Sequence, residues 1–128
     1  MTATVRGRVF TRLSEAKRFT ELPWVKKLIN EKLGFDPYPG TLNLTLPQDV
    51  HLDDLLDRFK SLEIPAQKEH FPGRLYRALI MGRLQGAVVR PEVPGYPENV
   101  LEIVAPLCPR EQLHLRNGDE VEVEICPE

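Results

Sequence analysis

Short runs of alternating apolar and polar residues recur along this chain and restrict its fold more than any other feature. In residues 41–46, leucines alternate with Thr41, Asn43 and Thr45, and in residues 120–125 two valines and an isoleucine alternate with glutamates. Because side chains at i and i+2 share a face of an extended chain, each run predicts a β-strand with one buried face. We interpret the glutamates as a solvated strand face rather than a catalytic cluster. Four more strands are predicted from runs of branched and aromatic residues, at 2–10, 74–81, 86–90 and 99–105.

Two segments between these strands have helical spacing instead. Residues 23–34 begin with Pro23 and end at Gly34, where each residue is best tolerated in a helix, and carry an apolar stripe between them. Residues 49–62 carry a second apolar stripe, with Asp49 as the expected N-cap. Short strands with two helices inserted early favour a mainly β fold, a small closed barrel, because closure removes exposed strand edges. We expect a single domain covering residues 1–128.

Composition and charge exclude several classes of function. The formal net charge of −2 and the pI of about 5.9 argue against a protein that binds nucleic acid. No apolar run approaches the roughly 20 residues that a membrane span needs, and we expect a cytoplasmic protein. Cys108 and Cys126 are far apart and are interpreted as reduced structural thiols, and the three histidines show no metal-ligand spacing. The sequence favours no particular oligomeric state.

The polar face of residues 41–46 has two interpretations. It can be an ordinary half-exposed strand face whose hydroxyls and carboxamide meet water or neighbouring backbone groups. Alternatively, Thr41 and Asn43 can form an oxygen platform for Mg²⁺, which takes only one or two protein oxygens when nucleotide phosphates complete its coordination. Glu102, a carboxylate in the otherwise apolar run 100–104, also has two interpretations. It can be a functional residue, or it can simply point outward from an alternating strand.

Four features of the sequence together resemble a known family. They are "LGFDPYPGTLNLTL" at 33–46, "RPEVPGYPENVLEIVAP" at 90–106, Arg110, and "LRNGDEVEVEI" at 115–125. From about Val5 to Ile125 the chain resembles the archaeal CTP-dependent riboflavin kinases. The resemblance implies a six-stranded cradle-loop (riboflavin-kinase-like) barrel that transfers the γ-phosphoryl group of CTP to riboflavin, giving FMN and CDP.

The resemblance also implies roles for individual residues. Thr41 and Asn43 match the family's Mg²⁺ ligands, Glu102 its acidic residue beside the flavin, and Pro94 a second flavin-binding position. At Glu102, a base within hydrogen-bond reach could accept or orient the proton of the ribityl hydroxyl. Positions that match the family's nucleotide-binding stretches are Arg12, Leu13, Ser14, Glu15, Ala16, Lys17, Leu107, Cys108, Pro109 and Arg110.

Two departures from the family pattern leave the function open between two classes. The family's glycine-rich loop GLGEG reads "RLSEA" at residues 12–16, and Pro94 stands where the family has a threonine. Glycines in such loops let backbone N–H groups approach phosphate closely. A kinase then needs cations in place of those amides, for which Arg12, Lys17 and Arg18 are candidates. A solvated basic face is the other interpretation of these residues, and for Lys17 and Arg18 it is at least as well supported. The alternative is a non-catalytic flavin- or nucleotide-binding module. A third idea, a nucleic-acid-binding or dimerising module, is weakly supported, given the acidic balance.

Overall fold

The computed structural model describes residues 2–11, 20–67 and 71–127, and these contain seven strands and three helices. In chain order the elements are β1 (Ala3–Phe10), α1 (Pro23–Leu33), β2 (Leu42–Thr45), α2 (Leu52–Leu56), β3 (Leu62–Ile64), β4 (Gly73–Ile80), β5 (Leu84–Pro91), β6 (Val100–Val104), α3 (Pro109–Gln112) and β7 (Glu120–Ile125). None of the helices in these described ranges is long and apolar enough to cross a membrane.

Six of the strands close into an antiparallel barrel, as the sequence predicts. Their order around the ring is β4–β5–β6–β2–β1–β7, and β7 returns to pair with β4. The last part of β4, residues 78–80, makes this closing pair, whereas its first part, residues 73–75, pairs with β3. Closure therefore leaves β3 as an appendage to the ring, and the six barrel strands have neighbours on both sides.

Apolar side chains from all six barrel strands fill the interior. Leu42 and Leu44 of β2, Leu101 and Ile103 of β6, and matching residues of the other strands belong to one buried cluster. The predicted alternation of residues 41–46 is thus confirmed, because the leucines point inward. Gly86 of β5 lies where a side chain has no room, since a Cβ there would lie 2.6 Å from the carbonyl oxygen of Val104 on the neighbouring strand β6.

Helix α1 packs against the outside of the barrel. Its buried residues, Val25 and Ile29, contact a second apolar cluster that includes Val89 and Val104. The helix begins at Pro23 and ends at Gly34, whose φ of 82° is in the left-handed region that glycine adopts without strain. This confirms the predicted helix and leaves the neighbouring outer surface, between β2 and β6, to polar residues.

The second predicted helix is shorter than its sequence pattern indicates. Helix α2 spans only Leu52–Leu56 and follows His51, so Asp49 is not its N-cap and that prediction is wrong. After Leu56 the N–H of Phe59 donates to the Leu56 carbonyl at 2.9 Å, which tightens the chain into a turn. The turn carries Phe59 into the barrel cluster, so its place in the apolar stripe is confirmed without a continuous helix.

Candidate functional site on the outer face of the barrel

Strand register brings the two predicted parts of the site together. Asn43 of β2 is the direct partner of Glu102 of β6, and Thr41 immediately precedes β2. The neighbours of these two partners, Leu42, Leu44, Leu101 and Ile103, all point into the barrel. Since alternate residues face opposite sides of a sheet, Asn43 and Glu102 share its outer face.

Three side-chain oxygens converge at this point. Thr41 Oγ1 lies 3.3 Å from Asn43 Oδ1 and 3.3 Å from Glu102 Oε1. Neighbouring oxygen ligands of an octahedral Mg²⁺ are about 3 Å apart, because each Mg–O bond is about 2.1 Å. The Thr41–Asn43 pair therefore has the chemistry and nearly the separation of two adjacent ligands of a hard cation. Glu102 would add a negative charge beside them.

Glu102 lies on the outer face of the strand but is 0% exposed. The expectation that Glu102 points outward from the strand is confirmed, but its side chain is buried and does not meet solvent. A buried carboxylate is costly unless donors satisfy it. Here the Tyr96 hydroxyl donates to Oε2, and the Thr41 hydroxyl can donate to Oε1. The two oxygens of the carboxylate therefore have different partners, with Oε1 directed towards Thr41 and Asn43.

Tyr96 and Arg90 belong to this site, and sequence reasoning did not identify them. The Arg90 guanidinium lies 5.1 Å from the centre of the Tyr96 ring. Arg90 is 9% exposed and donates to the Val100 carbonyl at 3.1 Å and to Asp53 Oδ1 at 2.7 Å. Tyr96 falls inside the segment 90–106 that carries the family resemblance, and this is the signal that could have found it.

Pro94 lies in the loop that presents Tyr96. Pro94 and Gly95 are the central residues of a turn in which the Tyr96 N–H donates to the Val93 carbonyl at 3.1 Å. Gly95 has a φ of 81°, as the second central residue of a type II turn requires, and proline suits the first. Pro94 is itself exposed, so its clearest role here is to shape the turn from which Tyr96 reaches Glu102.

The predicted nucleotide-binding stretch 107–110 adjoins the same site. A cavity of about 80 Å³ is lined by Tyr38, Gly40, Thr41, Cys108, Pro109 and Arg110, among others. Leu107 is exposed beside this stretch. The cavity therefore connects the expected metal platform at Thr41 to the expected nucleotide residues.

Arg110 already has partners within the protein. Its Nη2 group donates to Thr11 Oγ1 at 2.9 Å, to Asn117 Oδ1 at 2.8 Å and to the Phe10 carbonyl at 3.3 Å. These bonds join α3 to the end of β1 and to the turn before β7. The predicted nucleotide-binding residues Arg12, Leu13, Ser14, Glu15, Ala16 and Lys17 follow Thr11 directly and lie outside the described residues.

Tyr38 lines the same cavity from the β2 side. The pKa of Tyr38 is raised above its ordinary value, first by the charge of Cys108 and then by that of Glu111. Its backbone N–H donates to the Ala105 carbonyl at 2.7 Å, which joins the "PYPG" turn to the end of β6. Tyr38 is therefore a hydroxyl donor at this edge of the cavity throughout the neutral pH range.

The fold and the candidate site place this chain in a class of small proteins, closed six-stranded β-barrels that carry a polar cluster on the outer face. The chain belongs to the CTP-dependent riboflavin kinase family. The model of that family, described as "Domain of unknown function DUF120", matches residues 9–125.

Archaeal relatives support the same assignment. The chain is 39% identical over 127 residues to a riboflavin kinase of Saccharolobus solfataricus, covering 94% of this chain and 73% of that protein. It is 40% identical to a riboflavin kinase of Methanocella arvoryzae, covering 94% of this chain but only 56% of that one. A riboflavin kinase of Sulfurisphaera tokodaii is 34% identical, with 94% and 93% covered. The chain thus spans little more than half of some relatives and nearly all of others.

Proposed function

We propose that this chain is a riboflavin kinase that uses CTP and Mg²⁺. In the reaction, the terminal hydroxyl oxygen of the ribityl chain attacks the γ-phosphorus of CTP. The bond between that phosphorus and the β,γ-bridging oxygen breaks, CDP leaves with the electron pair, and the hydroxyl proton passes to a base. The observation that carries the proposal is the buried Glu102 carboxylate, whose Oε1 lies beside the Thr41–Asn43 oxygen pair.

Thr41 and Asn43 are the proposed holders of the metal. Bound there, Mg²⁺ would neutralise the charge of the nucleotide phosphates during transfer. Both ligands are neutral, so we expect the ion to bind strongly only together with the nucleotide, whose phosphates supply the negative charge. Because they lie at the start of β2, they would hold metal-bound phosphates at a fixed position relative to Glu102.

Glu102 is the proposed base. A positioned carboxylate that accepts or orients the hydroxyl proton typically contributes 10²- to 10⁴-fold to the rate. Its position supports this role, because it lies beside the expected metal and opposite Asn43 in the strand register. Pro94 and the loop around it would then border the flavin, in keeping with the family resemblance.

The nucleotide would occupy the side of the site formed by residues 107–110. The cavity there is lined by both Thr41 and Arg110, which supports a path for a phosphate chain from the proposed metal position towards α3. Arg110 also holds Thr11, the residue before the segment 12–17. We propose that this segment supplies the remaining nucleotide contacts, with Arg12 in place of the family's loop amides.

Formation of FMN tests this function directly. The protein is incubated with riboflavin, Mg²⁺ and CTP, ATP, GTP or UTP in turn, and FMN is separated from riboflavin by chromatography. We expect FMN and an equal amount of CDP with CTP, no FMN without nucleotide, and loss of the product when EDTA removes Mg²⁺. Absence of FMN with all four nucleotides would refute the kinase proposal.

The replaced glycine loop supports one alternative, a binding module that has lost the reaction. Such a protein would quench riboflavin fluorescence on binding and form no FMN with any nucleotide. The same incubation, run beside a riboflavin titration followed by fluorescence, therefore separates the two functions. A protein that binds riboflavin and lacks turnover would favour the module.

A further inference from the structure

Tyr96 holds the Glu102 carboxylate from the side opposite Thr41. The carboxylate is 0% exposed, and its Oε2 accepts the Tyr96 hydroxyl while Oε1 faces Thr41. The terminal torsion of a glutamate side chain is broad and is not fixed by its own rotamer preference. A hydrogen bond to an ionised carboxylate is among the stronger ones in proteins, so this hydroxyl determines how the carboxylate is turned.

Tyr96 is itself fixed in place by two independent features. The turn containing Pro94 and Gly95 sets the backbone before it, through the Tyr96 N–H bond to Val93. The Arg90 guanidinium lies against its ring, and Arg90 is held by the Val100 carbonyl and Asp53. A charged group placed over an aromatic face in a desolvated position restrains the ring. The chain of contacts runs from Asp53 through Arg90 and Tyr96 to Glu102.

We propose that Tyr96 is a positioning residue for the Glu102 carboxylate in the phosphoryl transfer, an inference that rests on the proposed kinase function. Its hydroxyl engages Oε2 and leaves Oε1 directed at Thr41, where the proposed metal-bound phosphate and the acceptor hydroxyl would meet. Tyr96 acts through Glu102 and not on the substrate. Turnover should therefore depend on the Tyr96 hydroxyl when Glu102 is present, and should no longer depend on it when Glu102 is replaced.

The Tyr96→Phe variant tests the proposal because it removes only the hydroxyl and keeps the ring beneath Arg90. We expect kcat for FMN formation to fall about 10- to 100-fold, the range set by one hydrogen bond to a charged group. The KM for riboflavin and the KM for CTP should each change less than about twofold, because the Tyr96 hydroxyl is proposed to contact neither substrate. The matched control is Tyr76→Phe, which removes the hydroxyl of a buried tyrosine on β4 that is not part of this site. Its kcat should equal that of the wild type.

A double-mutant cycle in kcat separates a positioning role from a structural one. In the Glu102→Gln background, Tyr96→Phe should change kcat less than about twofold, because the group through which Tyr96 acts is already altered. If the two losses multiply, Tyr96 acts independently of Glu102 and the proposal is wrong. A lower riboflavin KM with unchanged kcat in Tyr96→Phe would also overturn it, since the tyrosine would then merely occupy the place of the acceptor hydroxyl.

The proposed function and this inference fail in different ways. If the wild type forms no FMN, the kinase function fails and the positioning role fails with it. If the wild type forms FMN and Tyr96→Phe is as active as the wild type, only the positioning role fails. Thermal melting of each variant identifies a loss of turnover that comes from unfolding, in which case the activity is measured below the melting range.

Discussion

Glu102 and Arg110 lie at the two ends of the candidate site and are held in different ways. Glu102 belongs to a strand cluster, which we define as Thr41, Asn43, Tyr96 and Glu102. Its carboxylate is 0% exposed and is held opposite Asn43 by the register of β2 and β6. Arg110 belongs to a loop cluster, defined as Thr11, Arg110 and Asn117, where its bonds to both partners are exposed.

The difference in burial indicates that the two clusters have different roles in the proposed reaction. Groups on neighbouring strands of a closed barrel keep their separation closely, which suits the alignment of a base, a metal and a phosphate. Groups on loops and on a single-turn helix such as α3, which carries Arg110, adjust more easily and suit the recognition of a ligand. We therefore expect the strand cluster to control turnover and the loop cluster to control nucleotide affinity.

The largest effect is expected from Glu102→Gln. The amide keeps the shape of the side chain and removes the base, so kcat should fall about 10²- to 10⁴-fold with little change in the KM for CTP. The control is Glu122→Gln on β7, a glutamate paired at the surface with Arg6, which should keep wild-type kinetics. Equal kcat values for Glu102→Gln and the wild type, measured by FMN formation, would remove Glu102 from the chemistry.

Asn43→Ala should weaken the binding of CTP in the presence of Mg²⁺. Partners in the outer layer of a metal site are worth about 10- to 100-fold in affinity, and a direct ligand should be worth at least that. Calorimetric titration with CTP, with and without Mg²⁺, measures the loss of the metal-dependent part. Thr45→Ala is the matched control, because Thr45 is exposed two residues further along the same face of β2. An unchanged Mg²⁺-dependent affinity in Asn43→Ala would contradict the metal assignment.

Arg110→Ala should raise the KM for CTP about tenfold and leave kcat within about twofold, if the loop cluster acts on affinity. Arg110→Lys should give an intermediate value, since it keeps the charge and loses the forked donor. Arg116→Ala, an exposed arginine just before Asn117, is the control and should match the wild type. A fall in kcat at constant KM would break the proposed division between the clusters.

Arg12→Ala should raise the KM for nucleotide about threefold, in the range of one exposed charge contact. Restoring glycine at Arg12, Ser14 and Ala16 together should lower that KM, because backbone amides could again approach the phosphates. Nucleotide titration of the wild type and both variants measures these changes. Identical affinity in all three proteins would show that this segment does not touch the nucleotide.

The smallest effect concerns Tyr38 at the edge of the loop cluster. Its raised pKa means that the phenol ionises at a higher pH than an ordinary tyrosine, so its charge should not influence nucleotide affinity between pH 6 and about 9. An ultraviolet titration of the wild type and Tyr38→Phe should show the loss of one late-ionising tyrosine. A lost component with a midpoint below that of an ordinary tyrosine would contradict the effect of Cys108 and Glu111 on the Tyr38 pKa.

The barrel could be predicted from the sequence because its signal is local. Alternation at residues 41–46 and 120–125 predicts which side chains face inward. The series of short strands favours a closed barrel, because closure removes exposed strand edges. Strand β3 was missed since three residues are too few to show a period. The end of α2 was misjudged because the Leu56–Phe59 turn keeps Phe59 in the core at nearly the position a helix would give.

The candidate site could be predicted only in part. Thr41 and Glu102 are 61 positions apart, and no local pattern shows that their side chains meet. Their association came from the family resemblance, and the strand register then supplied the physical reason. Tyr96 and Arg90 both lie in the segment 90–106 that carries the resemblance, but a loop turn and a cation over a ring leave no periodic signal that singles these two residues out.

The position of a bound metal ion is the most direct test of the proposal that Thr41 and Asn43 hold Mg²⁺. Mn²⁺ accepts the same oxygen ligands as Mg²⁺ and scatters anomalously, so crystals grown with Mn²⁺ and CDP report its position. The metal assignment requires an anomalous peak within about 2.3 Å of Thr41 Oγ1 and Asn43 Oδ1. A peak instead at the carboxylates of Asp53, Asp54 and Glu98, which line a separate cavity beside α2, would contradict it. So would nucleotide bound without metal at Thr41.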